Sequence, residues 1–297
     1  MSSKPAYVLA ALIAITTLAA HGQVLINSSE QLDFDRPEAW AMKYFASLSL
    51  MTGMGAARSI DAGSIELGVE LGSVPSLSRA ERTVGFNGTK EEDINRTSIF
   101  GRMRIVVGLA NDFSLEATYL PPIDISGVEP SLYGLALARP LSQSDRWRTS
   151  ARLTAQDGDF SGDFTCSADE IRNGPNDFQC EEPSRDEISI RTASLELATA
   201  RRATSERWES YFSLGLHTMD LEFEVRAEYL GLIDRGTLST DGTTYSATLG
   251  LAYFSETQWR WSAELFYSPL DVVRPPATAT ETDALLNLRF MLGYAIR

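Results

Sequence analysis

The sequence contains little histidine and cysteine, and its basic residues are outnumbered by acidic ones. Two His and two Cys occur in 297 residues, with 26 Lys and Arg against 40 Asp and Glu. Sites that bind metal through clustered histidines are therefore excluded. The net charge of −14 also excludes nucleic-acid binding through phosphate contacts, because these contacts require clustered Lys and Arg.

Long apolar runs are also missing, except at the start of the chain. Residues 6–20 are apolar, Lys4 precedes them, and Ala20 and Gly22 are small residues at the specificity positions of a cleavage site. The run is short for a transmembrane helix, which needs about 20 apolar residues. We therefore predict a cleaved signal peptide over residues 1–22, with a membrane anchor as the alternative. Removing Lys4 takes the net charge from −14 to −15.

No later segment has the character of a membrane-spanning helix. The nearest candidate, residues 39–54, carries Lys43. If the exported chain crosses a membrane, it must do so as a closed barrel, because only helices and closed barrels satisfy every backbone group in lipid.

An alternation of apolar and polar residues, typical of β-strands, runs through most of the chain. In residues 98–109, for example, Met103 and Ile105 fall on one side, and Arg102 and Arg104 on the other. The pattern predicts ten strands, at residues 63–73, 98–109, 113–121, 131–139, 147–156, 187–199, 208–225, 244–253, 259–267 and 286–296. Two of them, 187–199 and 208–225, change phase partway, and we predict a β-bulge in each.

The connections between these strands alternate between short and long. Short links lie near residues 110–112, 142–146, 201–206 and 255–258, and long polar ones at 75–97, 122–130, 158–186, 226–242 and 269–282. Trp147, Trp208, Tyr253 and Trp259 lie beside the short links. Short turns at one end, long loops at the other and aromatic residues at the interfaces are typical of transmembrane barrels.

Over residues 63–297 the chain thus resembles bacterial outer-membrane β-barrel proteins. The resemblance implies an all-β, antiparallel up-and-down transmembrane barrel of about ten strands in the outer membrane of a Gram-negative bacterium. Twelve strands are the alternative, because residues 47–53 could form another strand. A soluble, lipocalin-like barrel is the alternative architecture.

The segment before the barrel, residues 23–62, contains a predicted helix. Asp35 is placed to cap it, Glu38 follows three residues later, and Trp40, Tyr44 and Leu48 recur at helical spacing. This helix could lie at the periplasmic rim or plug the barrel.

The polar sides of the strands carry charges of both signs. The set is Glu66, Glu70, Arg102, Arg104, Glu116, Arg148, Arg152, Arg260, Glu264 and Arg289. Because an Arg or Lys facing lipid costs about 2 to 4 kcal/mol, we predict that these charges face the lumen and form Arg–Glu pairs, bidentate where geometry allows. Barrel closure should bring Arg289 near Glu66 and Glu70. A largely filled lumen is favoured, and a narrow pore is the alternative.

Three other groups of residues could carry chemistry. Cys166 and Cys180 predict a disulfide in a surface loop of an exported protein. His217 remains after signal cleavage, but on a regular strand it faces away from Asp220. Asp157, Asp159 and Asp163 imitate the first half of a calcium loop, whose twelfth position is here an Ala.

These observations favour a structural or surface-interaction role without enzymatic activity, cofactor or bound metal. We expect a monomer that contacts outer-membrane lipid and lipopolysaccharide, and we name no protein partner. A narrow pore for small solutes is the first alternative. A barrel hydrolase or lipid-modifying enzyme using His217 is the second.

Overall fold

Ten long strands close into an antiparallel barrel in the computed structural model, which describes residues 24–174 and 176–296. The strands are β1 (Ile65–Ser73), β2 (Ile99–Gly108), β3 (Ser114–Leu120), β4 (Val128–Gln143), β5 (Trp147–Gly162), β6 (Asp186–Arg202), β7 (Trp208–Glu224), β8 (Thr237–Phe254), β9 (Trp259–Pro269) and β10 (Ala284–Ile296). Each strand pairs with the next, and β10 pairs with β1. The predicted up-and-down barrel is confirmed, with ten strands rather than twelve. The predicted signal peptide, residues 1–22, lies outside the described residues.

Several strands are longer than the alternation predicted. β4 begins at Val128, β5 continues to Gly162 and β8 begins at Thr237. The strand ends therefore take up residues that were assigned to the long loops, and the wall is tall on the β4 to β8 side.

The two predicted β-bulges are wrong. The register between β6 and β7 is unbroken from Glu187 opposite Glu224 to Arg202 opposite Glu209. The phase changes because the surroundings of the strands change along their length. Near the short turns the outside carries apolar residues and the inside carries charges, whereas near the long loops the inside packs against an apolar helix. The register shift in the wall lies instead between β4 and β5, near Pro140 and Ser142.

The outer surface becomes polar at the level where the interior becomes apolar. On the outside of β6, Arg191 binds Asp157 of β5 at 3.1 Å and Asp220 of β7 at 3.6 Å. On the inside of the same strand, Ile188 and Ile190 are buried. These exposed ion pairs indicate that this end of the barrel projects beyond the apolar band.

The N-terminal segment begins at the long-loop end and passes through the barrel. Val24–Ile26 runs parallel to Leu232–Asp234, and Ser29–Gln31 runs parallel to the start of β8. The helix α1 (Pro37–Ser49) then enters the barrel, and buried residues 50–57 continue along the lumen toward β1. We call residues 37–57 the plug. The structure thus places the helix inside the barrel rather than at the rim.

The start of α1 differs in detail from the prediction. Arg36, not Asp35, occupies the N-cap position, and Pro37 begins the helix. Proline is favoured there because the first helical amide has no partner within the helix. Within the barrel, Phe45 packs against Phe160 and Phe164, with ring centroids 5.1 and 5.4 Å apart. Packing against apolar strand ends therefore fixes the helix.

A small cap covers the long-loop end. It contains α2 (Arg79–Arg82), α3 (Gly85–Gly88), α4 (Ala168–Asn173), the strand pair Thr83–Val84 and Lys90–Glu91, and a four-stranded sheet of Val24–Ile26, Leu232–Asp234, Ala227–Tyr229 and Cys180–Glu182. The predicted disulfide between Cys166 and Cys180 is present, with a Cα–Cα distance of 5.7 Å. Within residues 24–174 and 176–296, no helix is long and apolar enough to cross a membrane.

Candidate functional site: the occupied lumen

Six charged side chains form one continuous chain across the inner wall. In order, they are Arg102, Glu70, Arg104, Glu116, Arg152 and Glu196. Arg102 Nε lies 2.6 Å from Glu70 Oε2, and Arg104 Nη1 lies 2.9 Å from Glu116 Oε2. Each carboxylate in the middle of this chain serves two arginines instead of making a bidentate pair with one. The chain is electrically neutral, since it contains three arginines and three glutamates.

Small residues on β4 allow the chain of charges to cross that strand. Gly134, Ala136 and Ala138 face the lumen between β3 and β5. With no long side chains there, Arg152 on β5 reaches over β4 to Glu116 on β3, at 2.9 Å. The small residues are therefore part of the charge arrangement.

A second group of charges lies near the short turns. Glu66 binds Arg58 at 2.8 Å and Arg260 at 3.3 Å. Glu209 binds Arg148, and also Arg202 at 3.3 Å. All ten charges of the predicted set face the interior, and nine of them are buried, with Arg260 partly accessible.

The lumen arginines also hold the plug through its backbone. Arg102 donates to the carbonyls of Ser49 and Leu50, at 2.9 and 3.3 Å. Arg104 donates to the carbonyl of Thr52, and Arg260 to that of Met54. An extended segment cannot satisfy its own carbonyls, so the arginines supply the partners that a neighbouring strand would otherwise provide.

Arg289 differs from its predicted role. β10 does pair with β1, but within the described residues Arg289 has no carboxylate at ion-pair distance. Its guanidinium donates instead to the carbonyls of Ser47, Leu48 and Leu50, and it lies 3.7 Å from the ring centroid of Phe266. The last carbonyls of a helix lack partners within the helix, and a cation there also matches the helix dipole. Arg289 therefore caps α1 from the barrel wall.

Acceptors on the wall complete the attachment. Glu264 accepts from Thr52 Oγ1 at 2.5 Å and from the hydroxyl of Tyr211 at 3.1 Å. The amide of Met51 donates to Gln156 at 2.6 Å, and that of Ala57 to Ser150 at 2.9 Å. The plug is thus bonded through both its donors and its acceptors.

Sequence reasoning missed several members of this site. Glu196 lies between Leu195 and Leu197, as Glu116 lies between Leu115 and Ala117, but the change of phase along its strand hides which side it faces. Glu209 and Arg58 lie outside the central part of the strands from which the set was drawn. Thr52 and Gln156 are hydrogen-bonding residues that became significant only once the plug was located.

The outside of the barrel is an apolar band. Leu67, Ile105, Leu249 and Leu288 are exposed. Arg104, on the inner side of β2, and Glu116, on the inner side of β3, are buried. Aromatic pairs border the band: Tyr119 with Tyr133 and Tyr245 with Tyr267 toward the long loops, and Trp208 with Tyr253 and Trp259 with Tyr294 beside the short turns. A soluble barrel would expose its charges and bury these leucines, so that alternative is wrong.

The chain is an outer-membrane β-barrel. Its apolar wall with aromatic borders, short turns and closed sheet is the arrangement of this class. With an even number of strands, both barrel ends lie at the short-turn, periplasmic side, and the cap lies outside the cell.

Comparison with known proteins finds similarity among solved structures and none in sequence. No family model matches the chain, and no curated protein matches it by sequence. Among solved structures it is similar to the outer-membrane protease OmpT of Escherichia coli, at 12% identity over 79% of this chain and 94% of that one, with a TM-score of 0.43. It is also similar to the translocator domain of the autotransporter NalP of Neisseria meningitidis, at 10% identity over 81% and 90%, with a TM-score of 0.47. An outer-membrane channel of Pseudomonas putida F1 matches at 9% identity over 84% and 100%, with a TM-score of 0.45.

His217 of this outer-membrane barrel lies inside the wall between two hydroxyls. Its Nδ1 is 2.7 Å from Ser194 Oγ, and its Nε2 is 2.8 Å from Ser246 Oγ. Asp220 is on the outer surface of the same strand, so the two residues face opposite sides as predicted. Among the described residues, the groups that His217 contacts are serines and not carboxylates.

The three aspartates of the possible calcium loop are kept apart. Asp157 and Asp159 belong to the extended strand β5, and Asp157 binds Arg191 outside the barrel. Asp163 binds Arg96 and accepts from the amide of Ala168 at 2.7 Å. Across residues 24–174 and 176–296, no three His, Cys, Asp or Glu side chains are grouped to hold a metal ion. A strand cannot wrap around a cation as a calcium loop does.

Proposed function

We propose that this outer-membrane β-barrel is a closed structural protein whose cap serves surface interactions. The observation that carries the proposal is the plug, which fills the lumen and is bonded to the wall by arginines from β2, β9 and β10. A solute pore requires a continuous aqueous path, and a segment anchored at this many points occupies that path.

The spaces left beside the plug support a filled lumen. Two cavities between the plug and the wall measure about 10 and 20 Å³, and a third, beside Phe45 and Leu48, measures about 60 Å³. Each of the two smaller ones holds about one water molecule. Solutes larger than water would have to displace the plug, so the narrow pore ranks below the closed barrel.

The cap is cross-linked between separate segments, as is expected of a preorganised interaction surface. Its sheet joins the N-terminal strand to two different loops, and the disulfide closes one of them. Phe86 stacks on Phe178 at 5.3 Å and contacts Tyr229 at 5.6 Å, joining three segments. A preorganised surface loses little conformational entropy on binding. Lipopolysaccharide and the surrounding lipid are the partners we propose for the monomer.

We propose no enzymatic role. His217 is the candidate base, but it is 2% exposed and its two ring nitrogens are occupied by serine hydroxyls. A general base must reach the proton it removes from a substrate. The occupied lumen leaves a substrate no route to this residue.

Conductance in planar bilayers tests the closed lumen. We expect the intact protein to insert without steady openings. A variant in which residues 37–57 are replaced by a Gly-Ser linker of equal length should open steadily, which also shows that openings are detectable. Heat-modifiable migration on gels verifies that both proteins are folded. Steady openings from the intact protein would overturn the proposal in favour of the narrow pore.

A further inference from the structure

The barrel wall has a gap beside β3 at the long-loop end. The ladder between β2 and β3 ends at the pair Met103 and Tyr119. β2 continues beyond this pair to Ile99, and β4 begins at Val128, above the last residue of β3. For several residues, therefore, the edge of β2 and the edge of β4 flank an opening instead of pairing through a strand between them.

Proline residues account for the gap. Pro121 and Pro122 directly follow β3, and Pro130 is near the start of β4. Proline has no amide hydrogen to donate to a neighbouring strand. Successive residues of a strand direct their backbone groups to opposite neighbours. Extending β3 upward would therefore lose one donor toward β2 and one toward β4, so the strand ends there and the chain turns away through Ile125.

An apolar cavity of about 60 Å³ lies behind the gap. Its inner wall is formed by Phe45 and Leu48 of the plug and Phe160 of β5, and Val128 and Ile99 flank its entrance. Pockets for drug-sized ligands measure about 300 to 1,000 Å³, so this one suits the end of a thin molecule. Cavities lined by apolar side chains remain dry, so water does not compete for it.

The entrance is continuous with the lipid-facing band. Ile99 and Ile125 line the cavity and are 56% and 38% exposed, and Met103 follows Ile99 on the outer side of β2 at 52%. The stacked Tyr119 and Tyr133 lie at the lower edge of the gap and mark the outer interface, so the entrance lies at the headgroup end of the outer leaflet. We propose that the gap is a lateral binding site for one hydrocarbon chain of an outer-leaflet lipid, with the chain end against α1.

The charges at the rim favour recognition of the chain rather than of a headgroup. Arg96 lines the cavity, but its guanidinium binds Asp163, the carbonyl of Asp163 at 2.9 Å and Asp93 at 3.1 Å. A guanidinium engaged in this way has no free pair of N–H donors with which to bind a lipid phosphate. Lipids with different headgroups and the same chains should therefore occupy the site equally.

Photo-crosslinking tests this site with the full chain in vesicles of phosphatidylethanolamine that carry a diazirine at the end of one acyl chain. Outward residues such as Leu249 will be labelled in any case. The informative peptide is the one containing Phe45 and Leu48, because these residues face the lumen and reach lipid only through the gap. We expect label on this peptide, and equal label with phosphatidylglycerol of the same chains.

Two blocking variants complete the test. Val128→Phe fills the cavity and Ile125→Trp narrows its entrance from a more exposed position. Each should lower the label on α1 by at least about fivefold, because an occupied cavity cannot accept the chain, while the label at Leu249 stays constant. Heat-modifiable migration shows which variants are folded. An unlabelled α1 in the intact protein, or unchanged α1 labelling in a folded blocked variant, would overturn the proposal.

Discussion

Arg152 binds Glu116 across an intervening strand, with 2.9 Å between Nη2 and Oε1. The other oxygen of the same carboxylate binds Arg104, also at 2.9 Å. Glu116 thus neutralises two buried arginines that come from opposite sides of it. It is the central member of the chain of charges that lines the lumen.

Replacing Glu116 with glutamine should therefore destabilise the barrel strongly. The change leaves two buried guanidinium groups with one compensating charge fewer, which costs about 3 to 5 kcal/mol. Urea unfolding in lipid vesicles measures the effect. Asp157→Asn is the matched control, because its ion pair with Arg191 is exposed and should change the free energy of unfolding by less than about 1 kcal/mol. Equal effects of the two variants would contradict the central role of Glu116.

Enlarging Ala136 should disturb the same contact from the neighbouring strand. Ala136 is buried directly opposite Glu116 on β4, so Ala136→Leu should cost about 1 to 3 kcal/mol through overpacking. Leu135→Phe, one residue away and facing lipid, should leave the unfolding free energy nearly unchanged. If both variants unfold like the intact protein, the small residues of β4 are not needed for the crossing.

Lys43 on α1 should make stability depend on pH in alkaline solution. It is buried, donates to the carbonyl of Asp271 at 2.7 Å, and burial lowers its pKa from 10.5 to about 8. Between pH 8 and 10.5 the unfolded chain binds a proton that the folded chain has lost. The free energy of unfolding should therefore rise with pH over this interval, by at most about 3 kcal/mol. Lys43→Met should remove this rise in urea titrations at pH 7.5 to 10.5, and parallel curves for both proteins would contradict it.

The path of the N-terminal segment predicts a topology that labelling can test. Asn27 lies at the cap, outside the cell, and Ser205 lies in a short turn on the periplasmic side. A cysteine at Asn27 should react with a membrane-impermeant maleimide on intact cells. A cysteine at Ser205 should react only after permeabilisation. The native cysteines form a disulfide and do not interfere. The reverse pattern would exclude the threaded arrangement.

Loss of the disulfide should affect the cap and spare the barrel. The bond joins residues 14 apart, and a loop of this length contributes about 3 kcal/mol. Replacing both Cys166 and Cys180 with serine should speed tryptic cleavage at the exposed Arg172 and Arg185. Heat-modifiable migration should persist. Loss of that migration would show that the barrel itself depends on the cap.

The sequence was sufficient for the barrel because each strand meets lipid on one side. Arg102 and Arg104 alternate with Met103 and Ile105. In an exported chain this alternation fits a membrane barrel, in which the apolar side chains face lipid and the charged ones face the lumen. The strand positions and the inward-facing charges could therefore be predicted from the alternation of side chains along each strand. The disulfide followed from the cysteine count and from export.

The location of the plug could not be predicted from the sequence, because the residue pattern of α1 fits more than one position. Trp40, Tyr44 and Leu48 have the same spacing whether α1 packs under the rim or inside the wall. The position depends on distant partners, such as Arg289 at the C-terminal end of the helix. The bulge prediction was wrong for the same reason, since Ile188 and Ile190 turn inward to meet a helix that the strand pattern alone does not reveal. Glu196 was missed as a result.

The route of residues 24–57 also has a mechanical consequence. The chain runs from the outer surface to the periplasmic end of β1 as a tether within a rigid cylinder. Tension applied to anything attached at the cap would load the bonds from Arg102, Arg104 and Arg260 along the axis of the barrel, all at once. Bonds sheared together resist more force than bonds peeled one by one, so we expect the segment to resist extraction from its outer end.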